Sequence, residues 1–199
     1  MHRTRRSVAA LLDAVAIAAV LLVAGHSLSA HVVPSPCDFT TGGGWTGIPE
    51  AGGDQANFGI VGGCKNDGFF GDVNYIDHNY GPPGLHVHST SIDGYFDPIP
   101  SGSTFRDICG TASTNMWGDV QFRVRTQDNG EPGATDRFGI KIMQNGVVKY
   151  IATTRQLGPT DANGGGNIQL HDPNPSTIGP TVPPLDWQVC GGDDSGLGF

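Results

Sequence analysis

Asp119–Ile151, DVQFRVRTQDNGEPGATDRFGIKIMQNGVVKYI, is the stretch from which the fold class is read. Val120, Phe122 and Val124 alternate with Gln121, Arg123 and Arg125, the period of two of a half-buried strand. After the polar loop DNGEPGATD, Phe138, Ile140 and Ile142 alternate again, with Arg137 and Lys141 pointing the other way. Asn145-Gly146 separates that run from VVKYI, and Asn-Gly between alternating runs is a strong hairpin signal. Three antiparallel strands in succession make a meander.

Working outward, the chain carries 31 Gly and 14 Pro with only 15% charged residues, and no internal segment holds a helical period. That combination predicts an all-β fold, an antiparallel β-sandwich or jelly roll of about eight or nine short strands. The further strands expected are 56–61, 72–77, 85–92, 104–113, with a bulge at Gly110, and 167–171. Residues 31–44 read as a linker ending in Gly42-Gly43-Gly44, and residues 45–171 as the domain. Residues 172–199 read as an extended Pro- and Gly-rich tail held by Trp187 and Cys190. The two Gly runs, GGGW at 42–45 and GGGN at 164–167, suit places where strands approach closely.

Residues 1–30 have the basic start, apolar stretch 14–25 and small residues near Ala30 of a signal peptide, with an uncleaved anchor as the rival reading. Removing them takes away three Arg and one Asp and moves the net charge from −8 to −10. Such acidity opposes binding to nucleic acid or anionic lipid, and no second apolar span follows. The expected location is therefore secreted, extracellular or in the cell envelope.

Cys37, Cys64, Cys109 and Cys190 all lie in the exported part, which predicts two disulfides. Three pairings are open, and the expectation is Cys64–Cys109 within the domain with Cys37–Cys190 tying its ends. Zinc ligation by these cysteines lacks any CxxC spacing.

Two sets of residues stand out for metal chemistry. Asp128, Asn129, Glu131 and Asp136 put hard oxygens on one Gly-containing loop, as Ca²⁺ prefers, although Asx residues beside Gly also explain themselves as turn chemistry. His86 and His88 leave one face of a strand, and His78 beside Asp77 is a candidate third ligand for Zn²⁺ or Cu²⁺. Glu131 and Asp136 are a poor glycosidase pair, because such carboxylates face each other across a cleft. Trp45, Trp117 and Trp187 are candidates for a sugar-stacking platform or, more simply, for packing anchors.

Several segments carry a family resemblance: CDFTTGGGW (37–45), ANFG (56–59), NYIDH (74–78), LHVHS (85–89), ICGTA (108–112), DNGEPG (128–133) and GGNIQLH (165–171). In that order they resemble a bacterial secreted module of the post-COAP type, found beside choice-of-anchor domains. The resemblance covers roughly residues 37–171; the insert NYGPP (79–83) and the tail bearing Cys190 depart from it. It implies a β-rich extracellular domain and transfers no catalytic residue. The expected function is thus a non-catalytic module in extracellular structure or recognition, with a protein or polysaccharide as partner. The alternatives are a metal-binding protein or small metal-dependent enzyme using His86 and His88, and a carbohydrate-binding module.

Overall fold

The computed structural model describes residues 31–48, 54–98, 103–153, 157, 164–181 and 183–197, so the expected signal peptide lies outside the described residues. Among the described residues the chain is mostly antiparallel β. The strands are β1 (Phe39–Ile48), β2 (Asp54–Lys65), β3 (Gly68–Asp77), β4 (Leu85–Phe96), β5 (Phe105–Thr114), β6 (Gly118–Gln127), β7 (Arg137–Gln144), β8 (Val147–Thr153) and β9 (Gly164–His171). One short helix, α1 (Asp186–Val189), follows. The nine strands form one sheet in the order β8-β7-β6-β5-β4-β3-β2-β1-β9. The 119–151 meander is present as β6, β7 and β8, paired antiparallel with Val124 opposite Ile140 and Ile142 opposite Tyr150.

The sheet curls until its distant strands face each other. Phe58 of β2 stacks on Phe138 of β7 with centroids 4.1 Å apart, although four strands separate β2 from β7 in the sheet. The Tyr75 hydroxyl of β3 meets that of Tyr150 of β8 at 2.6 Å, and Tyr150 donates onward to Asp77 Oδ2 at 2.8 Å. The inward residues of the alternation, including Val120, Phe122, Val124, Ile140 and Ile142, join Val73, Leu85, Ile108 and Ile168 in the main core. Burial of such side chains, about 1.5–3 kcal/mol each, is what drives the curl.

Two expectations are corrected by the register. Residues 39–44 are not a linker but the first half of β1. The two Gly runs lie side by side, Gly44 opposite Gly166 and Trp45 opposite Gly165. A Cβ on Gly44 would sit 2.1 Å from Gly165 O, so small residues here are a condition of pairing. The irregularities of the β4–β5 pair lie on β4, between Ser89 and Ser91 and between Ile92 and Gly94, not at Gly110. Gly110 is required because a Cβ would approach Ser91 O to 2.0 Å.

The disulfides are Cys37–Cys64 and Cys109–Cys190, not the pairing expected. Phe39 is opposite Gly63, so the residues just before β1 fall beside Cys64. Cys109 lies opposite Arg123, on the side of the sheet away from the main core, where the tail passes. Trp187 does not anchor that tail, being 50% exposed.

Phe138→Ala removes the ring that joins the two sides of the curl. A loss of about 3–5 kcal/mol is expected, read as a lowered midpoint in urea unfolding.

Candidate functional site

The loop between β6 and β7 was the richest candidate for a cation. In the structure its acids are bonded to backbone instead. Asp128 Oδ1 accepts from Gly130 N–H and Oδ2 from Leu170 N–H, each at 2.8 Å. Asp136, fully buried, accepts from Asn129 N–H and Ile168 N–H, each at 2.8 Å. Asn129 donates through Nδ2 to Thr135 O at 2.7 Å, and Glu131 Oε1 accepts from Asn167 Nδ2 at 3.1 Å.

Ile168 and Leu170 stand two apart on β9, which pairs with β1 on its other side. Their outward N–H groups would otherwise form an open sheet edge. Asp128 and Asp136 take the place of the missing neighbour strand. This is the physical reason that the Ca²⁺ expectation at Asp128, Asn129, Glu131 and Asp136 is not supported by the geometry.

The histidines do not converge either. His88 Nδ1 donates to Asn74 Oδ1 at 2.7 Å across the β3–β4 pair. His78 Nε2 donates to Asn57 Oδ1 at 2.8 Å, while His86 is exposed and its backbone N–H bonds Asn115 Oδ1 at 2.9 Å. Among the described residues no group of three or more His, Cys, Asp or Glu is placed to hold a metal ion.

A feature that sequence reading missed lies on the outer face of β5, β6 and β7. Arg123 and Arg125, expected on the polar side of a half-buried strand, are buried, as are Asp107 and Lys141. The segment Asp186–Ser195, hereafter the strap, covers them. Arg123 donates to Asp107 Oδ2 (3.0 Å), Asp186 Oδ2 (3.0 Å) and Gly192 O (2.9 Å). Arg125 grips Asp107 through Nε (2.7 Å) and Nη2 (2.9 Å) and reaches Asp194 Oδ2 at 2.7 Å. Lys141 Nζ donates to Ser195 O at 2.9 Å and to Asp193 Oδ1 at 3.2 Å. The signal available in the sequence was the acidic Asp193-Asp194 pair near Cys190, whose complement stands some fifty or more residues earlier.

A cleft with a volume of about 510 Å³ is lined by Trp45, Pro132, Ala134, Leu157 and Gly164–Gly166. Trp45 is half-buried, leaving part of its indole accessible. The three tryptophans form no joint platform: Trp117 packs edge-on to Tyr80 at 6.0 Å, and Trp187 rides on the strap.

Charge placement sets the response to acid. The Asp193 carboxyl is held below its ordinary value by the Ser195 hydroxyl and by Lys141. For Asp194, burial pushes upward but Arg125 outweighs it, and the result is again a lowered value. Depressed carboxylates contribute stability that is full above the unfolded value of about 3.9 and is lost as pH falls through the folded value. Asp136 has the opposite sign: burial raises it against the two N–H bonds, so its contribution is full at low pH and is lost as pH rises. Acid below about pH 4 is therefore expected to loosen the strap before the β9 edge. Faster amide exchange in residues 186–195 than in β9 would show this order.

Asp136→Asn turns an NH₂ group toward one of two backbone donors. A loss of about 1–3 kcal/mol is expected, measured by urea unfolding at neutral pH.

No known family model matches the chain, and no curated protein or solved structure matches it either.

Proposed function

We propose that this chain is an exported, non-catalytic β module that acts in extracellular or envelope recognition through the cleft beside Trp45. The observation that carries the reading is a convergence of motifs. Trp45 from the GGGW run, Pro132 from DNGEPG and Gly165-Gly166 from GGNIQLH line one cleft. Asp128 and Asp136 tie two of these segments together, so the cleft walls are set by the same bonds that close the sheet edge. Rigid walls suit recognition, since less ordering is lost on binding.

The resemblance to post-COAP-type modules supports the same reading, because the three segments are among those that carry it. Two disulfides fit an oxidising compartment, and among the described residues no helix is long and apolar enough to cross a membrane. In this reading the two sides of the curled sheet act as the layers of a sandwich, with loops at one end presenting the cleft.

A carbohydrate is the ligand class the cleft favours. A half-exposed indole offers a flat apolar face to a sugar ring, and the Asn167–Glu131 hydrogen bond joins the neighbours in sequence of two lining residues, Gly166 and Pro132. The metal reading through His86 and His88 has no comparable support.

Trp45→Ala is expected to lower retention on polysaccharide at least tenfold while Trp187→Ala leaves it unchanged. Both are read in pull-down with insoluble glycans, after unfolding curves confirm that each variant is folded. Equal retention of both variants would sink the cleft as the binding site. Addition of Ca²⁺ or Zn²⁺ after EDTA is expected to leave the melting temperature unchanged, since a ligand of the folded state alone would raise it.

A further inference from the structure

We propose that the Trp45 cleft is one end of a longer track along the outer face of β1 and its neighbours, and that its ligand is a linear, uncharged polysaccharide held over several sugar units. This rests on the cleft reading above and adds the form of the ligand and the rest of its site. Strand alternation puts Phe39, Thr41, Gly43 and Trp45 on one side of β1, opposite the side that carries the buried Thr40 and Thr46. The register continues that outer side onto β9, β2 and β3. His171, Phe39, Gly63 and Phe70 share one row, and Gly165, Trp45 and Asn57 share another.

The two ends are built alike. At the far end the Phe39 ring stacks on His171 with centroids 4.1 Å apart, and Phe70 tilts toward Phe39 at 6.2 Å. Gly63 makes room for them, since a Cβ there would stand 2.5 Å from the Phe39 Cβ and 2.8 Å from the Phe70 ring. Trp45 is seated beside Gly165 in the same way, where a Cβ would come within 2.5 Å of its Nε1. Trp45, Phe39 and Phe70 are half-buried and belong to neither hydrophobic cluster, so part of each ring is left to a ligand. Six residues of β1 separate Phe39 from Trp45, about 20 Å at the rise of a strand.

Between these stations the floor is bare. Gly43 and Gly59 stand opposite each other within β1 and β2, in a register without a bulge. Neither has a positive φ; a Cβ on Gly59 would meet nothing within 4 Å, and one on Gly43 only Phe58 O at 3.6 Å. Neither backbone conformation nor packing within the chain calls for glycine at these two positions. Glycine inside a strand weakens it, and close approach of a ligand is a reason to keep it there.

The borders of the floor select the ligand. Asn167 and Asn74 flank Gly43 and Gly59 in their row, and the next row holds Gln169, Thr41, Val61 and Asp72. Asp72 is occupied by the Ser89 hydroxyl and the Asn74 amide. What remains is uncharged donors and acceptors around an open floor with a ring face at each end. That chemistry fits a neutral glycan chain. A protein partner would need apolar anchors near the centre, where Val61 alone is aliphatic, and the net charge of −8 opposes a polyanion.

The test titrates the full chain by calorimetry with neutral oligosaccharides of two to six units, in series of linked glucose, mannose and N-acetylglucosamine. In the series that binds, affinity is expected to rise at least tenfold from disaccharide to hexasaccharide, because the far station engages a chain already held at Trp45. Phe70→Ala should remove most of that gain and leave disaccharide binding unchanged. Gly59→Val separates binding from folding: Val favours a strand, so the melting temperature should hold or rise while the hexasaccharide falls back to disaccharide affinity. Affinity independent of length, or a hexasaccharide affinity untouched by both variants, would overturn the track and leave the Trp45 cleft standing. Absence of binding in every series would remove the cleft reading and the track together.

Discussion

The outward N–H groups of β9 are the constraint around which the sheet is arranged. A strand at the end of a curled sheet needs partners on both sides or a wet, adhesive edge results. Here β1 supplies one side, and the carboxylates of Asp128 and Asp136 supply acceptors at Leu170 and Ile168 on the other. Because those acids sit on the β6–β7 loop, the bonds also hold the far side of the curl against β9. The Phe58–Phe138 stack then lies between facing strands, and the Tyr75–Tyr150–Asp77 chain closes the interior. Burial lifts both tyrosine hydroxyls well above their usual range, so they remain protonated donors in that chain.

Polar groups are handled inside this molecule in two different ways. On the inner side, Asp38 binds Arg106 and Tyr95 at one end of the core, where burial lifts the Tyr95 hydroxyl above its ordinary value. On the outer side, Arg123, Arg125 and Lys141 are paired by residues that arrive some fifty to seventy positions later. Buried charges are tolerated only when paired, so this face and the strap depend on each other. The Cys109–Cys190 bond makes that dependence covalent.

The cleft beside Trp45 follows from the same closure. Its walls come from β1, β9 and the β6–β7 loop, the three pieces that the carboxylate bonds draw together. The chain's net charge of −8 opposes the binding of polyanions there.

Sequence periodicity carried the local structure. The alternation of Val120 to Val124 and of Phe138 to Ile142, with Asn145-Gly146 between strands, identified the meander and its inward residues, because a strand's period of two is a property of neighbouring residues. The oxidised state of the four cysteines was also legible from their number. Their pairing was not, because it depends on β1 lying against β2 and on the path of the tail across β5. The acids of the 128–136 loop looked the same as metal ligands and as acceptors for a distant strand, and only the arrival of β9 distinguishes the two. Likewise Arg123 and Lys141 have the spacing of solvent-facing residues, and the strap, with His31 against Arg123, puts them under cover. Residue order within a strand therefore determines which face is apolar, whereas contacts between segments far apart in the chain decide what each polar side chain is bonded to.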